Sequence, residues 1–284
     1  NTEAVFPKIR TVPNEQWYTL HISGLASGHS GIEIGCGRAN AVKLAAEFLT
    51  RIKAEQISAF SAGTKCNVIP KEAEVTFSAE GDAASCFAEY CAEIKSLYAE
   101  TDSEICMTLR AAEIPAVAYT ADFVQALSEC RNGVVEEDSR GVITSSNLAA
   151  VVDEPEGFRI ITLQRSAKNV SRDALSAEIA FVFREAGAEV FSHSSFSGWL
   201  LAKDSPLVLR AAELYERLFG RKPDIETTHG GVECGMIQEK YPEMQIISLG
   251  PTIEACHTVQ ERVSVQSLEE TERFLFALIA ELQE

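Results

Sequence analysis

Three histidines stand in glycine-rich or turn-rich surroundings, where a side chain can meet a ligand at close range. His29 lies in Ser27-Gly28-His29-Ser30-Gly31. Nearby glycines let the backbone approach a bound molecule, and an imidazole held there can donate a hydrogen bond to a developing oxyanion. The plainer reading of this segment is a mobile loop. His229 lies in Thr228-His229-Gly230-Gly231-Val232-Glu233-Cys234-Gly235. A loop running into a short helix presents free N–H groups that suit an anion. Glu233 in the first turn would also be favoured simply for capping. His257 lies in Gly250-Pro251-Thr252-Ile253-Glu254-Ala255-Cys256-His257, soon after an apolar segment read as a strand. Ligand sites in α/β folds gather beyond the carboxyl ends of strands, and neutral imidazole is a common zinc ligand. His21 and His193 fall within strand patterns and read as structural. The sequence contains no HExxH, no GxSxG and no phosphate-binding GK[ST] loop. Cys256 and His257 are neighbours in sequence and so do not face each other, which leaves a cysteine nucleophile without a base.

Such side chains need a scaffold, and the periodicities predict one. Residues 17–25 alternate as a strand, with Trp17, Thr19 and His21 on one face and Tyr18, Leu20 and Ile22 on the other. The glycine-rich stretch 24–37 leads into a helix over 38–52, where Val42, Leu44, Ala45, Phe48 and Leu49 recur at helical spacing. Strands are expected over 57–62 and 74–79, a second helix over 83–98 and a strand over 104–110. This β, α, β, β, α, β order is that of the ferredoxin-like unit. A helix over 121–130, strands over 142–152 and 159–164, a helix over 172–186 and a strand over 188–193 suggest a second such unit. A boundary near residue 198 divides the chain into 1–197 and 198–284. Asp204-Ser205-Pro206 starts a helix that ends at Phe219 before Gly220. Strands over 223–227 and 244–249, a short helix over 231–239 and a closing helix from Leu268 give the remainder an α/β pattern. The run Ile246-Ile247-Ser248-Leu249 suits a sheet buried on both faces. The expected fold is an α+β domain, an antiparallel sheet with helices in two βαββαβ-like halves, followed by an α/β remainder.

Composition narrows the function. The chain has 284 residues, 46% of them hydrophobic, and a net charge of −17 from 42 acidic and 25 basic groups. The apolar fraction excludes disorder as the main state, and the length fits one large or two ordinary domains. The acidic surplus repels phosphate, so no nucleic-acid partner is expected. No apolar run reaches the roughly 18 residues that span a bilayer, and no basic-then-apolar leader opens the sequence, so no membrane partner is expected. The 8 cysteines form no CxxC pair, which reads as reduced thiols in a cytoplasmic protein. Asn1 in place of Met reads as a processed start or a fragment.

Taken together, the motifs resemble a known family. Ile22-Ser23-Gly24-Leu25-Ala26-Ser27-Gly28-His29-Ser30-Gly31, then Gly37-Arg38-Ala39-Asn40, resembles the start of the lid domain in aminoacyl-histidine dipeptidases. These Xaa-His dipeptidases, or bacterial carnosinases, are co-catalytic zinc peptidases related to aminoacylase and carboxypeptidase G. Ala62-Gly63-Thr64-Lys65-Cys66-Asn67-Val68-Ile69-Pro70 resembles the lid's Asn-x-Ile-Pro motif, and the segments 228–235 and 250–257 resemble the C-terminal motifs. The resemblance implies two zinc ions per complete active site and a Glu acting as general base on metal-bound water. It implies that His257 ligates zinc, that His29 stabilises the tetrahedral oxyanion, and that Asn67 lies near the substrate. It further implies that Arg165 grips the substrate carboxylate, as a guanidinium fork is suited to do, although Arg172 competes for that role. His229 and Glu233 would border the substrate. The implied substrate is a small Xaa-His dipeptide such as carnosine, and a homodimer is compatible with the resemblance. The family's amino-terminal motifs are not found: there is no His-x-Asp, no bridging Asp motif and no Glu-Glu pair before the lid. Glu136-Glu137-Asp138 falls inside the lid region and reads as a solvated charge run. The chain by itself is therefore expected to bind the zinc pair incompletely and to be inactive. The alternative is a non-catalytic relative that binds a peptide or a partner.

Overall fold

The computed structural model describes residues 1–200, 205–254 and 261–283. Strands β1 (Thr2–Pro7) and β2 (Arg10–Thr11) precede β3 (Trp17–Ser23). A 3-10 turn over Ile34–Cys36 leads into α1 (Ala41–Arg51), followed by β4 (Gln56–Ala62), β5 (Ala73–Ser78), α2 (Ala83–Leu97) and β6 (Cys106–Ala112). Next come β7 (Ala118–Thr120), α3 (Phe123–Glu129), β8 (Gly133–Asp138), β9 (Gly141–Asp153), β10 (Gly157–Ser166), α4 (Asn169–Glu185) and β11 (Glu189–Ser192). The remainder holds α5 (Pro206–Phe219), α6 (Glu233–Lys240), β12 (Ile253–Glu254), β13 (Arg262–Val263) and α7 (Val265–Glu281).

The main sheet runs β11-β1-β10-β9-β4-β5-β3-β6, with antiparallel pairing throughout. Within it, β4-β5-β3-β6 is the second-third-first-fourth strand order of one βαββαβ unit. The order β11-β1-β10-β9 repeats that pattern in mirror sequence, with β1 as the first strand. Residues 2–7, unread in the sequence, thus supply the opening strand of the second unit, and the first unit lies inserted between β1 and α3. Ala4 and Phe6 of β1 point into the core at 0% and 2% exposure. The two units meet where Ala62 of β4 faces Val151 of β9.

Helix α1 begins where Asn40 caps it, its side chain accepting the Lys43 N–H. Its apolar stripe buries Val42, Leu44, Ala45, Phe48 and Leu49. Phe48 packs among Phe77, Phe87 and Tyr90 at ring distances of 6.1, 5.7 and 5.5 Å. One continuous core joins this cluster to Phe60, Phe158 and Phe183.

The remainder holds α5, α6, α7 and the two-stranded β12–β13 sheet, but not the two expected strands. Residues 223–227 and 244–249 carry no strand, and Met244 and Leu249 are 45% and 38% exposed. A strand needs neighbours to take up its N–H and C=O groups. Among the described residues, no strand pairs with these segments, and Thr227 N–H reaches only Arg140 O at 3.4 Å. What forms instead is a helical region with a small core of Ala211, Leu214, Phe274 and Leu278 between α5 and α7. The charge run at 136–138 is also no free run, because it belongs to β8. Glu136 pairs with Lys168 and accepts from the Thr144 and Ser171 hydroxyls. No helix among the described residues is long and apolar enough to cross a membrane.

Candidate substrate site

The loop carrying His29 joins β3 to α1 and is closed by a buried carboxylate. Asp102, 3% exposed, accepts the N–H of Ala26 at 2.8 Å and of Ala39 at 2.9 Å. Within the loop, Glu33 accepts the His29 N–H at 2.7 Å and pairs with Arg38 at 2.7 Å. Gly28 stands at φ +140, and a Cβ there would lie 2.2 Å from the Arg38 guanidinium and 2.6 Å from the Glu33 carboxylate. Only glycine fits. The loop is stitched to residues 64–70: Ser30 N–H donates to Asn67 O at 2.9 Å, and Ile69 N–H to Gly28 O at 2.8 Å. Asn67 is therefore fixed beside the His29 segment through its main chain.

A second wall comes from the sheet. Register places Arg165 of β10 opposite Ser145 of β9, and Leu163 opposite Asn147, so these four side chains share one face. Asn147, 1% exposed, donates both amide hydrogens, to Cys66 O at 3.0 Å and Val68 O at 2.8 Å. It thereby ties the Asn67 loop to the sheet. His229 reaches the same face, its Nε2 lying 2.9 Å from Ser145 Oγ. His29 and Arg165 meet above Gly31, where an added Cβ would lie 3.0 Å from His29 Cε1 and 3.2 Å from Arg165 Cζ. His29 Nδ1 accepts the Gly31 N–H at 3.3 Å, which leaves Nε2 to carry the ring proton.

The structure thus brings His29, Arg165 and His229 together from three distant segments. Burial first, then the neighbouring Arg165 guanidinium and the His29 ring, push the His229 pKa down to about 4, so its ring is neutral at neutral pH. Burial also pushes the Arg165 guanidinium down. Arg165 makes no ion pair among the described residues, and its Nε is buried without a partner. Arg172 differs: its guanidinium is tied to Asp173 at 2.8 and 2.7 Å, to Asn169 Oδ1 at 3.0 Å and to Phe196 O. Both arginines line one cavity of about 280 Å³ with His229 and the segment 192–197. Arg165 and His229 line this cavity together with Asp173, whose carboxylate is taken by Arg172, and a guanidinium that makes no ion pair suits an anion.

Other expected site residues lie apart. Glu233 is exposed in the first turn of α6, outside that cavity's lining. His257 lies outside the described residues. Among the described residues, no group of three or more His, Cys, Asp and Glu could hold a metal ion. Sequence reasoning missed Asp102, Ser145 and Asn147. One signal was available for the last two: Thr144-Ser145-Ser146-Asn147 is a polar run inside an otherwise apolar strand, and all four are at most 1% exposed. Buried polar groups on that scale need partners.

Comparison with known proteins agrees with this architecture. The sequence matches peptidase family M20/M25/M40 over residues 13–281, and the chain belongs to that family. It is 31% identical to the cytosol non-specific dipeptidase of Escherichia coli (strain K12), over 93% of this chain and 58% of that protein. The structure superposes on the crystal structure of aminoacylhistidine dipeptidase from Vibrio alginolyticus with a TM-score of 0.88 and 28% identity. That match covers 99% of this chain and 60% of the Vibrio chain. The chain therefore spans about three fifths of the length of these two relatives.

Proposed function

We propose that the full-length protein is a cytoplasmic zinc-dependent dipeptidase that hydrolyses Xaa-His dipeptides such as carnosine. In this reading residues 1–197 act as the lid and dimerisation-type domain, and 198–284 belong to the catalytic domain. The observation that carries the reading is the convergence of His29, Arg165 and His229 from three distant segments, with the Arg165 guanidinium making no ion pair among the described residues. Arg165 takes the substrate's terminal carboxylate, since Arg172 is already committed to Asp173. His29 donates Nε2–H to the oxyanion, Asn67 and His229 border the bound dipeptide, and Glu233 is assigned to the substrate's border by the resemblance, although it lies outside the cavity's lining. His257 is the residue this reading assigns to zinc. The described residues do not themselves fit a zinc pair, and their part in the reaction is confined to binding and charge stabilisation. The names of both relatives support dipeptide hydrolysis, and the free state of the described cysteines supports a reducing compartment.

Arg165→Met in the full-length protein tests the assignment. The expected result is a loss of about 100-fold in kcat/KM on β-alanyl-histidine, mostly through KM, because a charge-assisted pair held in a dry site is removed. The wild type should also reject the carboxy-amidated dipeptide, and the variant should lose that discrimination. Unchanged kinetics would remove Arg165 from the site. Binding without turnover in the wild type would favour the non-catalytic alternative.

A further inference from the structure

Ser145 is 1% exposed and His229 is 6% exposed, so neither side of their 2.9 Å contact is open to solvent. A serine hydroxyl can donate or accept, and a neutral imidazole nitrogen can do either according to tautomer. The surroundings decide the direction here. No acceptor for the Ser145 hydroxyl proton other than His229 Nε2 is found among the described side chains. If Nε2–H donated to the hydroxyl instead, a buried O–H would be left without a partner, at a cost of about 1–3 kcal/mol. The ring's other nitrogen, Nδ1, makes no hydrogen bond among the described residues, and His229 lines the cavity that Arg165 also lines. Arg165 carries a guanidinium with no ion pair among the described residues into that cavity, which suits an anionic occupant, and a ring nitrogen facing an anion is favoured as N–H rather than as a bare lone pair.

We infer that Ser145 is a positioning residue: its hydroxyl donates to Nε2 of His229, holds the ring as the Nδ1–H tautomer, and makes His229 a donor beside Arg165 to the substrate's carboxylate. Which ring nitrogen carries the proton is set by the bond the other one makes. The substrate half of the inference rests on the dipeptidase reading above, and the tautomer half does not. Residues 144–147 then have a common logic, because Asn147 fixes the Asn67 loop while Ser145 fixes the ring of His229.

The test uses full-length protein labelled with ¹⁵N-histidine. Protonated and bare ring nitrogens separate widely in long-range ¹H–¹⁵N spectra, and the His229 signals are identified by their loss in His229→Gln. The expected result at neutral pH, without substrate, is a neutral His229 protonated on Nδ1. Ser145→Ala should shift the proton towards Nε2 and lower kcat/KM on an Xaa-His dipeptide by about 10-fold, and Ser145→Thr should restore both. A merely structural serine would leave the tautomer in place when replaced. An Nε2–H ring in the wild type, or a tautomer and rate unchanged in Ser145→Ala, overturns the inference. Because the spectrum needs no turnover, it decides the role of Ser145 even if the protein hydrolyses no dipeptide, a result that would instead overturn the peptidase reading.

Discussion

Helices α1 and α7 are both amphipathic, yet they live in different surroundings. Of its 11 residues, α1 buries Ala41, Val42, Leu44, Ala45, Ala46, Phe48 and Leu49. The longer α7, 17 residues, buries Phe274 and Leu278 and exposes Leu268, Leu275, Phe276 and Ile279 at 48%, 41%, 65% and 46%. The sheet region is one continuous core, whereas the apolar cluster of the region after residue 205 consists of Ala211, Leu214, Phe274 and Leu278 with partly buried neighbours. Burial drives folding in proportion to the apolar area removed from water, so the sheet carries the stability of the described structure. The candidate site draws on both regions. Arg165 and Ser145 come from the rigid sheet, and His229 from a segment docked on it. The candidate site therefore joins the region of the large core to the region of the small one.

The largest difference should appear between two phenylalanines. Phe48→Ala empties a fully buried position among three aromatic rings and should cost about 3–5 kcal/mol, read from the denaturant midpoint of the sheet. Phe274→Ala should leave that midpoint nearly unchanged and instead raise amide exchange across α5 and α7. Equal losses in the two variants would mean that the regions fold as a single unit.

Acid should act on the junction. The folded His229 pKa of about 4 lies below the ordinary 6.5. The folded state thus binds fewer protons than the unfolded one, and stability rises with pH across this window. The contribution is fully present above pH 6.5, fades as pH falls, and is gone below about 4, with a span on the order of 3 kcal/mol. His229→Gln should flatten the stability profile between those limits. An equally steep profile in the variant would assign the acid sensitivity to other groups.

Much of this was legible in the sequence, for reasons that differ by element. The stripe from Val42 to Leu49 and the alternation from Trp17 to Ile22 are strong because each buries one face. Strand β1 was silent because its six residues become a strand through pairing with β10 and β11, far away in sequence. The run Ile246-Ile247-Ser248-Leu249 misled for the converse reason: its hydrophobicity demands cover, but pairing partners decide whether it becomes a strand. His29 and His229 stood out because glycines flank them. Asp102 did not, because a lone aspartate near a helix end looks like any other until two loop N–H groups converge on it. Ser145 was hidden in the same way, its meaning supplied by a histidine 84 positions later.

The smallest expected effect tests the same contrast at two helix caps. Asp82 accepts the Ser85 N–H at the start of α2, and Ser264 accepts the Ser267 N–H at the start of α7. Each cap is worth about 1 kcal/mol. Helix α2 is anchored to the main core through Tyr90 and Ile94 and folds with the sheet. Asp82→Ala should therefore lower the sheet's midpoint by that amount. Helix α7 has little packing to share the loss, so Ser264→Ala should act locally. Amides in its first turns should exchange about 5-fold faster, the rate equivalent of 1 kcal/mol, while the sheet's midpoint stays in place. A shift of that midpoint in Ser264→Ala would show that the α5–α7 core, small as it is, is coupled to the sheet through the docking of His229.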